Sequence, residues 1–384
     1  MKNIFLAGST GSIGQNAISV ARLHPDYLNI TAIAAGHYSL ELIRQVIDLK
    51  PLYCVVGPAE DSVRIKAELS TFKNINTEVL CGEAGLKEVA SSDKVNVVLN
   101  AVSGSSGLML SYWALLFSKE LALANKESLV MAGEVLSRMA IHSSCRIVPI
   151  DSEHSAIFQC LNCGVKKDVK RLILTASGGP FFRMNLKDMD KITKEMALSH
   201  PRWKMGKKIS IDSSTLANKG LEIIEAHYLF GIGEKNIEVL IHPEAVIHSM
   251  VEYVDGSIIA QLAVTDMKGP IGYALSYPER FENLMETIDL AKVGKIEFFK
   301  PDFKKFPFIG LARDALRINK SMPCVFSTAN EFFVEKFLEG KVNFTGIAVN
   351  VEKVMCAHLP FELNAIEDVL GAKKIALELS AKVL

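Results

Sequence analysis

The chain has 384 residues, which is more than one ordinary hydrophobic core accommodates, so two or three domains are expected. Charged residues make up 22% of the chain, and 43 basic side chains balance 43 acidic ones. A net charge of zero gives no electrostatic reason to expect nucleic acid or an anionic membrane as a partner. No apolar run approaches the roughly 20 residues of a membrane span. The short apolar run at residues 4–7 leads into a glycine-rich turn and not into a signal peptide, so a cytoplasmic protein is expected.

The first 150 residues alternate short apolar runs with helical patterns. This alternation predicts an α/β fold with a Rossmann-like, doubly wound and mostly parallel sheet. Ligands of such sheets bind beyond the carboxyl ends of the strands. The predicted strands are residues 3–7, 30–34, 53–56, 95–100, 121–124 and 146–150, and the predicted helices include 13–23 and 40–49.

The pattern changes after residue 150. Residues 151–276 predict a central α+β catalytic domain, and residues 277–305, which contain Pro278 and Pro301 with mixed charge, predict a linker. Helical periodicity from residue 306 to residue 384 predicts a C-terminal helical bundle. The predicted strands are 171–175, 208–212, 238–242 and 250–264, the last with the hairpin signal Asp255-Gly256, and the predicted helices are 218–230, 311–318, 327–339, 346–356 and 365–384.

Three glycines, Gly8, Gly11 and Gly14, lie between the first predicted strand and an amphipathic helix. Glycines let the backbone turn tightly and approach a pyrophosphate, and the helix N-terminus supplies unpaired N–H groups. We therefore predict a dinucleotide site, with an ordinary strand–helix turn as the alternative. The turn after the second strand has no acid to repel a 2′-phosphate, and His37 and Ser39 could donate to one, which favours NADP. No Arg or Lys occupies that turn, however.

Two groups of polar residues indicate a metal site. Asp151 and Glu153 follow an apolar run, and carboxylates at i and i+2 of an extended chain point to the same side. Convergent carboxylates suit Mg²⁺ or Mn²⁺, although such a pair is more often simply solvated. Asn218, Lys219 and Glu222 share one face of a predicted helix. An exposed salt bridge between Lys219 and Glu222 is the alternative.

Three further features lie near these groups in the sequence. Gly220 interrupts the predicted helix at a cost of about 1 kcal/mol, which is explained if another element packs close to the backbone there. The turn at residues 177–179 can present N–H groups to an anion. Ser213 and Ser214 offer hydroxyl groups to the same anion, or one of them caps the following helix.

Two candidates for substrate contact remain. The loop at residues 199–206 carries Trp203, and an aromatic side chain on a loop can act as a lid that excludes water or can pack on the core. Lys126, at the end of a first-domain strand, could face both nucleotide and substrate. A plain helix N-terminal turn is the alternative there.

Seven segments, in order, resemble 1-deoxy-D-xylulose 5-phosphate reductoisomerase, the NADPH enzyme of the non-mevalonate isoprenoid pathway. The segments are residues 8–14, 123–130, 149–158, 177–181, 200–206, 208–225 and 241–250. The similarity covers essentially the whole chain. It implies a homodimeric oxidoreductase that acts on a small phosphorylated sugar with NADPH and Mg²⁺ or Mn²⁺, with Co²⁺ as a further option. The product would be 2-C-methyl-D-erythritol 4-phosphate, formed by a metal-assisted skeletal rearrangement and then hydride transfer.

The resemblance also implies roles for individual residues. Cofactor binding is implied for Thr10, Gly11, Ser12, Ile13, Gly36, Asn125, Glu127 and Gly206. The metal ligands would be Asp151, Glu153 and Glu222. The substrate would contact Lys126, Ser152, Glu153, Ser177, His200, Trp203, Ser213, Asn218, Lys219 and Glu222. Lys126, Glu153 and His200 are the catalytic candidates, and whether Lys126 or Glu153 moves the proton stays open.

The chain departs from the family pattern at one place, and two alternative functions remain as hypotheses. The family often has a basic residue and an Asn where this chain has His37 and Tyr38, which concerns NADPH selectivity and not the chemistry. A metal-independent NADP dehydrogenase would need a catalytic Cys or a Lys/Tyr pair, and neither stands out. A non-catalytic nucleotide sensor would have no use for three carboxylates.

Overall fold

The structure, a computed structural model, describes residues 1–199 and 206–384. These residues fall into two compact units. The first comprises 1–125, 138–151 and 266–286, and the second 126–137, 152–265 and 287–384. The domain boundaries proposed from the sequence stay predictions. None of the helices in the described ranges combines the length and apolar character that a membrane span requires.

The first unit contains a seven-stranded sheet in which every neighbouring pair is parallel. Its strands are β1 (Lys2–Ala7), β2 (Leu28–Ala35), β3 (Tyr53–Val56), β4 (Glu78–Cys81), β5 (Val97–Asn100), β6 (Glu120–Leu123) and β7 (Ile147–Pro149). The spatial order is β4-β3-β2-β1-β5-β6-β7. The order therefore reverses between β1 and β5, and the carboxyl ends of these strands are where such sheets bind ligands. The predicted parallel α/β sheet is confirmed, although β4 was missed.

Both units contain helices. They are α1 (Ser12–Leu23), α2 (Leu40–Leu49), α3 (Ala59–Leu69), α4 (Gly82–Ser91), α5 (Leu108–Leu116), α6 (Lys126–Ser143), α7 (Ser152–Cys160), α8 (Lys194–Leu198), α9 (Lys207–Ser214), α10 (Ala217–Phe230), α11 (Lys268–Ser276), α12 (Leu290–Val293), α13 (Phe308–Ile318), α14 (Met322–Leu338), α15 (Phe344–Ala357) and α16 (Ile366–Val383). The last four are the helices predicted for the C-terminal region. Helix α14 starts earlier than expected because Pro323 is tolerated in a first helical turn, where no N–H is needed.

The second unit contains a four-stranded mixed sheet. Its strands are β8 (Val169–Ala176), β9 (Ile237–Ile241), β10 (Ile247–Tyr253) and β11 (Ile258–Leu262), in the order β11-β10-β8-β9. Strand β10 is antiparallel to both of its neighbours, and β8 and β9 are parallel. The turn between β10 and β11 contains Gly256 at φ +89°, so the predicted hairpin is confirmed.

One predicted strand is wrong. Residues 208–212 lie in α9, although Ile209 and Ile211 alternate with polar residues as in a half-buried strand. Both Ser210 and Ile211 are buried in the structure, so the alternation does not separate a buried face from a solvent face. Tertiary packing overrides the local pattern here, and an i,i+4 contact from Lys208 to Asp212 supports the helix.

The glycine within α10 is explained by a close approach of α13. A Cβ atom at Gly220 would lie 2.9 Å from the Phe308 carbonyl oxygen and 3.2 Å from Ala312 Cβ. The expected close packing is therefore confirmed. It presses α10 against the C-terminal helices within the second unit.

The turn after β1 is equally tight. Gly8 has φ +81°, and a Cβ atom there would lie 2.4 Å from the Ala101 carbonyl oxygen. A Cβ atom at Gly14 would lie 2.3 Å from the Gly8 carbonyl oxygen. The first turn of α1 therefore rests on the turn backbone with no room for a side chain.

Gly14→Ala is expected to lower the free energy of unfolding by roughly 1–3 kcal/mol, because the methyl group must displace backbone atoms of the turn. Gly11→Ala is the matched control, since the single nearby atom for its Cβ is the Gly8 carbonyl oxygen at 3.3 Å. Urea unfolding of the two variants measures the difference. Equal unfolding midpoints for Gly14→Ala and the unchanged protein would contradict the close approach.

Candidate active site

A buried lysine in the second unit holds two of the predicted site carboxylates. Lys219 Nζ donates to Glu153 Oε1 at 2.8 Å, to Glu222 Oε2 at 2.6 Å and to the Thr175 carbonyl oxygen at 2.7 Å. Lys219 is 3% exposed and Glu222 is fully buried. Burial alone would lower the pKa of Lys219, but the charges of Glu153 and Glu222 raise it above its ordinary value. An exposed salt bridge between Lys219 and Glu222 is therefore the wrong alternative.

Three elements bring these groups together. Glu153 lies in the first turn of α7, Lys219 and Glu222 lie on one face of α10, and Thr175 lies at the end of β8. Glu153 is thus helical, and the extended i,i+2 geometry expected from the sequence is wrong for it. Asp151 is the last residue before α7 and belongs to the first unit, and a single residue of chain separates it from Glu153.

Glu222 has partners on its other oxygen. Asn218 Nδ2 donates to Glu222 Oε1 at 2.5 Å, and Lys126 Nζ lies 3.5 Å from the same oxygen. Lys126 Nζ also donates to Asn218 Oδ1 at 2.7 Å. Carboxylate oxygens of Glu153 and Glu222 lie within 4.8 Å of each other. The structure therefore brings Lys126, Asn218 and Lys219 to two closely spaced carboxylates, which are the hard oxygen donors that Mg²⁺ and Mn²⁺ prefer.

The predicted anion-binding turn lies beside Ser213. Gly178 and Gly179 have φ of +86° and +63°, and a Cβ atom at Gly179 would lie 2.9 Å from the Ser213 carbonyl oxygen. The Gly179 N–H donates to Ser177 Oγ at 3.4 Å. No serine side chain caps α10, and Ser214 Oγ instead donates to the Ile211 carbonyl oxygen at 2.8 Å. The helix-capping alternative is wrong, and the turn at residues 177–179 lies beside the Ser213 backbone.

A second ion-paired lysine, the half-buried Lys208, escaped the sequence analysis. Lys208 Nζ donates to Glu127 Oε1 at 2.6 Å and to Asp212 Oδ2 at 2.7 Å, and Asn330 Nδ2 donates to Asp212 Oδ1 at 2.8 Å. Burial alone would lower the pKa of Lys208, but Asp212 and Glu127 raise it. Burial alone would raise the pKa of Glu127, but Lys208 lowers it. The i,i+4 spacing of Lys208 and Asp212 is a signal that a helical assignment would have revealed.

His154 links the two helices that carry the carboxylates. Its Nε2–H donates to the Glu222 carbonyl oxygen at 3.0 Å, and its Nδ1 lies 3.4 Å from Glu225 Oε2. His154 is fully buried and Glu225 is 1% exposed. The contact fixes the backbone of α10 relative to α7, and nothing in the sequence pattern indicated it.

The residues predicted for the cofactor divide between the two units. Thr10 to Ile13 form the turn after β1 and the start of α1, Gly36 follows β2, and Asn125 follows β6. Asn125 Nδ2 donates to the carbonyl oxygens of Val102 and Gly104, each at 2.7 Å. These first-unit residues therefore all lie at carboxyl ends of strands. Glu127, Ser152 and Gly206 lie in the second unit, and His200 and Trp203 lie outside the described residues.

Comparison with known proteins matches nearly the whole chain. Family models for 1-deoxy-D-xylulose 5-phosphate reductoisomerase match residues 4–133 and, for its C-terminal domain, residues 147–230. A third model, the DXP reductoisomerase C-terminal domain, matches residues 262–379. A 1-deoxy-D-xylulose 5-phosphate reductoisomerase from Chlorobaculum tepidum is 44% identical over 384 residues and is covered over the full length of both chains. The chain belongs to the 1-deoxy-D-xylulose 5-phosphate reductoisomerase family.

Further members agree in sequence and in fold. The Geobacter metallireducens reductoisomerase is 44% identical over 385 residues, with 100% of this chain and 99% of the relative covered. A reductoisomerase crystal structure with NADPH, fosmidomycin and magnesium superposes with a TM-score of 0.93 at 37% identity, covering 100% of this chain and 98% of the other. The Zymomonas mobilis enzyme with NADPH gives 0.92 at 36% identity, covering 100% and 99%. The family resemblance and the fold class predicted from the sequence are confirmed.

Lys208→Met is expected to lower the free energy of unfolding, because it leaves Glu127 and Asp212 without their shared cation. Removing one partner of a fully buried pair costs roughly 3–5 kcal/mol, and about 2 kcal/mol is expected here, because 20% of the Lys208 side chain is exposed. Lys191→Met, which removes the partner of Asp188 at 2.8 Å on the surface, is the control and should change nothing measurable. Urea unfolding compares the two variants. Equal losses would show that the Lys208 cluster is no stronger than a surface ion pair.

Proposed function

We propose that the chain catalyses the NADPH- and divalent-metal-dependent rearrangement and reduction of 1-deoxy-D-xylulose 5-phosphate to 2-C-methyl-D-erythritol 4-phosphate. Membership of the reductoisomerase family over the full length supports this reaction. The structural observation that carries it is the close pair of carboxylates, half-buried Glu153 and fully buried Glu222, with Lys126 and Lys219 around them. A metal-independent dehydrogenase or a nucleotide sensor would have no use for this cluster.

Asp151, Glu153 and Glu222 are assigned to the metal ion, which is Mg²⁺ or Mn²⁺. The assignment is supported by the close spacing of the Glu153 and Glu222 oxygens and by the position of Asp151 directly before α7. When bound, the ion supplies Lewis acidity to substrate oxygens. His154 holds the backbone of α10 at Glu222 and thereby orients that carboxylate.

Lys126 is assigned to proton transfer in preference to Glu153, which is the other candidate. Both Glu153 oxygens accept hydrogen bonds, from Lys219 and from the Ser152 hydroxyl at 2.5 Å. These bonds fix Glu153 in one orientation, which suits a metal ligand better than a proton carrier. The Lys126 ammonium group lies beside Asn218 and beside Glu222, one of the proposed metal ligands.

Ser177, Ser213, Asn218 and Lys219 are assigned to the substrate phosphate. A turn with Gly178 and Gly179 in the left-handed region, as found beside Ser213, can present backbone N–H groups to an anion, and serine hydroxyls add further donors. The three N–H groups of Lys219 are engaged by Glu153, Glu222 and Thr175, so Lys219 acts on the phosphate through its charge. Binding energy from the phosphate can orient the reacting carbons. His200 and Trp203 are assigned to the sugar.

The first unit is assigned to NADPH, which supplies the hydride. The turn at Thr10 to Ile13 presents the N-terminus of α1 to a pyrophosphate, and Gly8 and Gly14 let the turn pack closely beneath it. Gly36, Asn125, Glu127 and Gly206 are also assigned to NADPH.

We also propose that the protein is a cytoplasmic homodimer. Sedimentation velocity at micromolar concentration should give the mass of two chains.

Glu222→Gln is expected to abolish turnover while leaving NADPH binding unchanged, because it removes a metal ligand without changing side-chain size. The loss should exceed the roughly 10–100-fold typical of an outer-shell partner. The assay follows the absorbance of NADPH on adding 1-deoxy-D-xylulose 5-phosphate, with and without Mn²⁺, and Mn²⁺ binding is measured by electron paramagnetic resonance.

Glu335→Gln, on the exposed side of α14, is the matched control and should behave as the unchanged protein. Normal turnover in Glu222→Gln would refute the metal assignment. Turnover by the unchanged protein after removal of divalent metal would favour the metal-independent dehydrogenase instead.

A further inference from the structure

Asp61, an acidic residue of α3, contacts the turn after β2, although residues 35–39 of that turn contain no acid. The Tyr38 N–H donates to Asp61 Oδ2 at 2.9 Å, and His37 Nδ1 lies 3.4 Å from the same oxygen. Asp61 comes from α3, so the sequence-based statement that no acid stands at this turn is wrong. The electrostatics of the turn are set by α3 and not by residues 35–39 alone.

Helix α3 reaches this turn because the turns after β2 and β3 touch. The Gly57 N–H donates to the Gly36 carbonyl oxygen at 3.2 Å, and a Cβ atom at Gly57 would lie 2.5 Å from that oxygen. The parallel strands β2 and β3 end at the same edge of the sheet, so α3 starts beside the β2 turn. The absence of a side chain at Gly57 is what lets the two turns approach.

One face of α3 contacts Tyr38 along its length. Asp61, Arg64 and Glu68 follow the i, i+3, i+7 spacing of a single helix face. Asp61 accepts the Tyr38 N–H, and Glu68 Oε2 accepts the Tyr38 hydroxyl at 2.8 Å. The Arg64 guanidinium carbon lies 3.6 Å from the centre of the Tyr38 ring. Tyr38 is therefore held at its backbone, its ring and its hydroxyl group.

We propose that Arg64, stacked on Tyr38, binds the 2′-phosphate of NADPH and gives this chain its preference for NADPH over NADH. A stacked guanidinium uses its face for the aromatic ring and keeps its N–H groups in the plane, where they match two phosphate oxygens. In dinucleotide-binding sheets the adenosine ribose lies at the end of the second strand, and a nearby Arg accommodates the 2′-phosphate. Arg64 is exposed, and no atom lies within 4 Å of a Cβ atom built on Gly36, so a ligand has room there.

The proposal accounts for the departure of this chain from the family pattern. The positive charge that the family often places within the turn is supplied here from α3, one strand further along the chain. Asp61 would repel a phosphate, but its carboxylate is engaged by the Tyr38 N–H and faces His37. Asp61 is thus a positioning residue that holds Tyr38 beneath Arg64. The inference rests on the proposed function only in taking NADPH as the cofactor.

Arg64→Met tests the proposal, because it keeps the length of the side chain and removes the guanidinium. Isothermal titration calorimetry with 2′,5′-ADP and 5′-ADP, and then with NADPH and NADH, measures binding without turnover. The Kd of 2′,5′-ADP and NADPH should rise by roughly 10–100-fold, the loss expected for hydrogen bonds to a charged group. The Kd of 5′-ADP and NADH should not change. The ratio of kcat/KM for NADPH to that for NADH should fall by the same factor.

Two controls identify the cause. Arg22→Met removes an exposed first-unit arginine that pairs with Asp48 at 3.2 Å, and it should change neither ligand. Tyr38→Phe keeps the ring beneath Arg64 and should retain NADPH affinity, whereas Tyr38→Ala removes the ring and should lower it. Circular dichroism establishes that each variant is folded.

The outcomes separate the inference from the proposed function. Equal weakening of NADPH and NADH in Arg64→Met would reduce Arg64 to a support of the turn, and unchanged binding of both would exclude it from the site. Either result overturns the inference. A failure of the unchanged protein to oxidise NADPH with 1-deoxy-D-xylulose 5-phosphate would overturn the proposed function, and the 2′,5′-ADP measurements would still decide the role of Arg64.

Discussion

Two neighbouring carboxylates largely removed from solvent repel each other, and Lys219 is the group that lets Glu153 and Glu222 lie within 4.8 Å of one another. At an effective dielectric constant of about 20, two unit charges roughly 5 Å apart repel by about 3 kcal/mol. Lys219 Nζ bonds to both carboxylates and to the Thr175 carbonyl oxygen. The ends of α7, α10 and β8 therefore meet at one ammonium group. Removing that group would break both ion pairs at once, and breaking a buried pair by removing one partner is costly.

The Lys208 cluster repeats this arrangement one helix earlier in the chain. Lys208 joins α9 to the first turn of α6 through Glu127, and Asp212 joins α9 to α14 through Asn330. Helices α9 and α10 adjoin in sequence, so Ser213 lies between two anchored lysines. The position of the proposed phosphate site is thus fixed by charge pairing within the second unit, while the apolar core behind it packs the same helices together. Buried polar groups are tolerated in such a core because they are paired.

The sequence predicted single elements better than the contacts between them. Local spacing along the chain was enough to predict the glycine turn after β1. It was also enough to predict the shared helix face of Asn218, Lys219 and Glu222. The strand predicted at 208–212 was wrong because alternation of apolar and polar residues does not indicate a strand alone. The same pattern also fits a helix that is buried on most sides. Glu127 and Lys208 are 81 residues apart, and no local pattern shows that they pair. Periodicity identifies a face of a helix, whereas the packing of the sheet decides what that face meets.

The choice between lysine and arginine follows the geometry of each site. Lys219 meets three oxygen atoms that lie in different directions on three elements, and a compact ammonium group with three donors fits such a position. Arg64 lies exposed on the face of an aromatic ring, and a planar guanidinium is the group that can stack and still bind a phosphate along its edge. The net charge of zero does not show that lysine and arginine are used differently at these two sites. The anion binding proposed for this chain therefore depends on individually placed cations, each supported by its own partners, and the whole-chain charge carries no information about it.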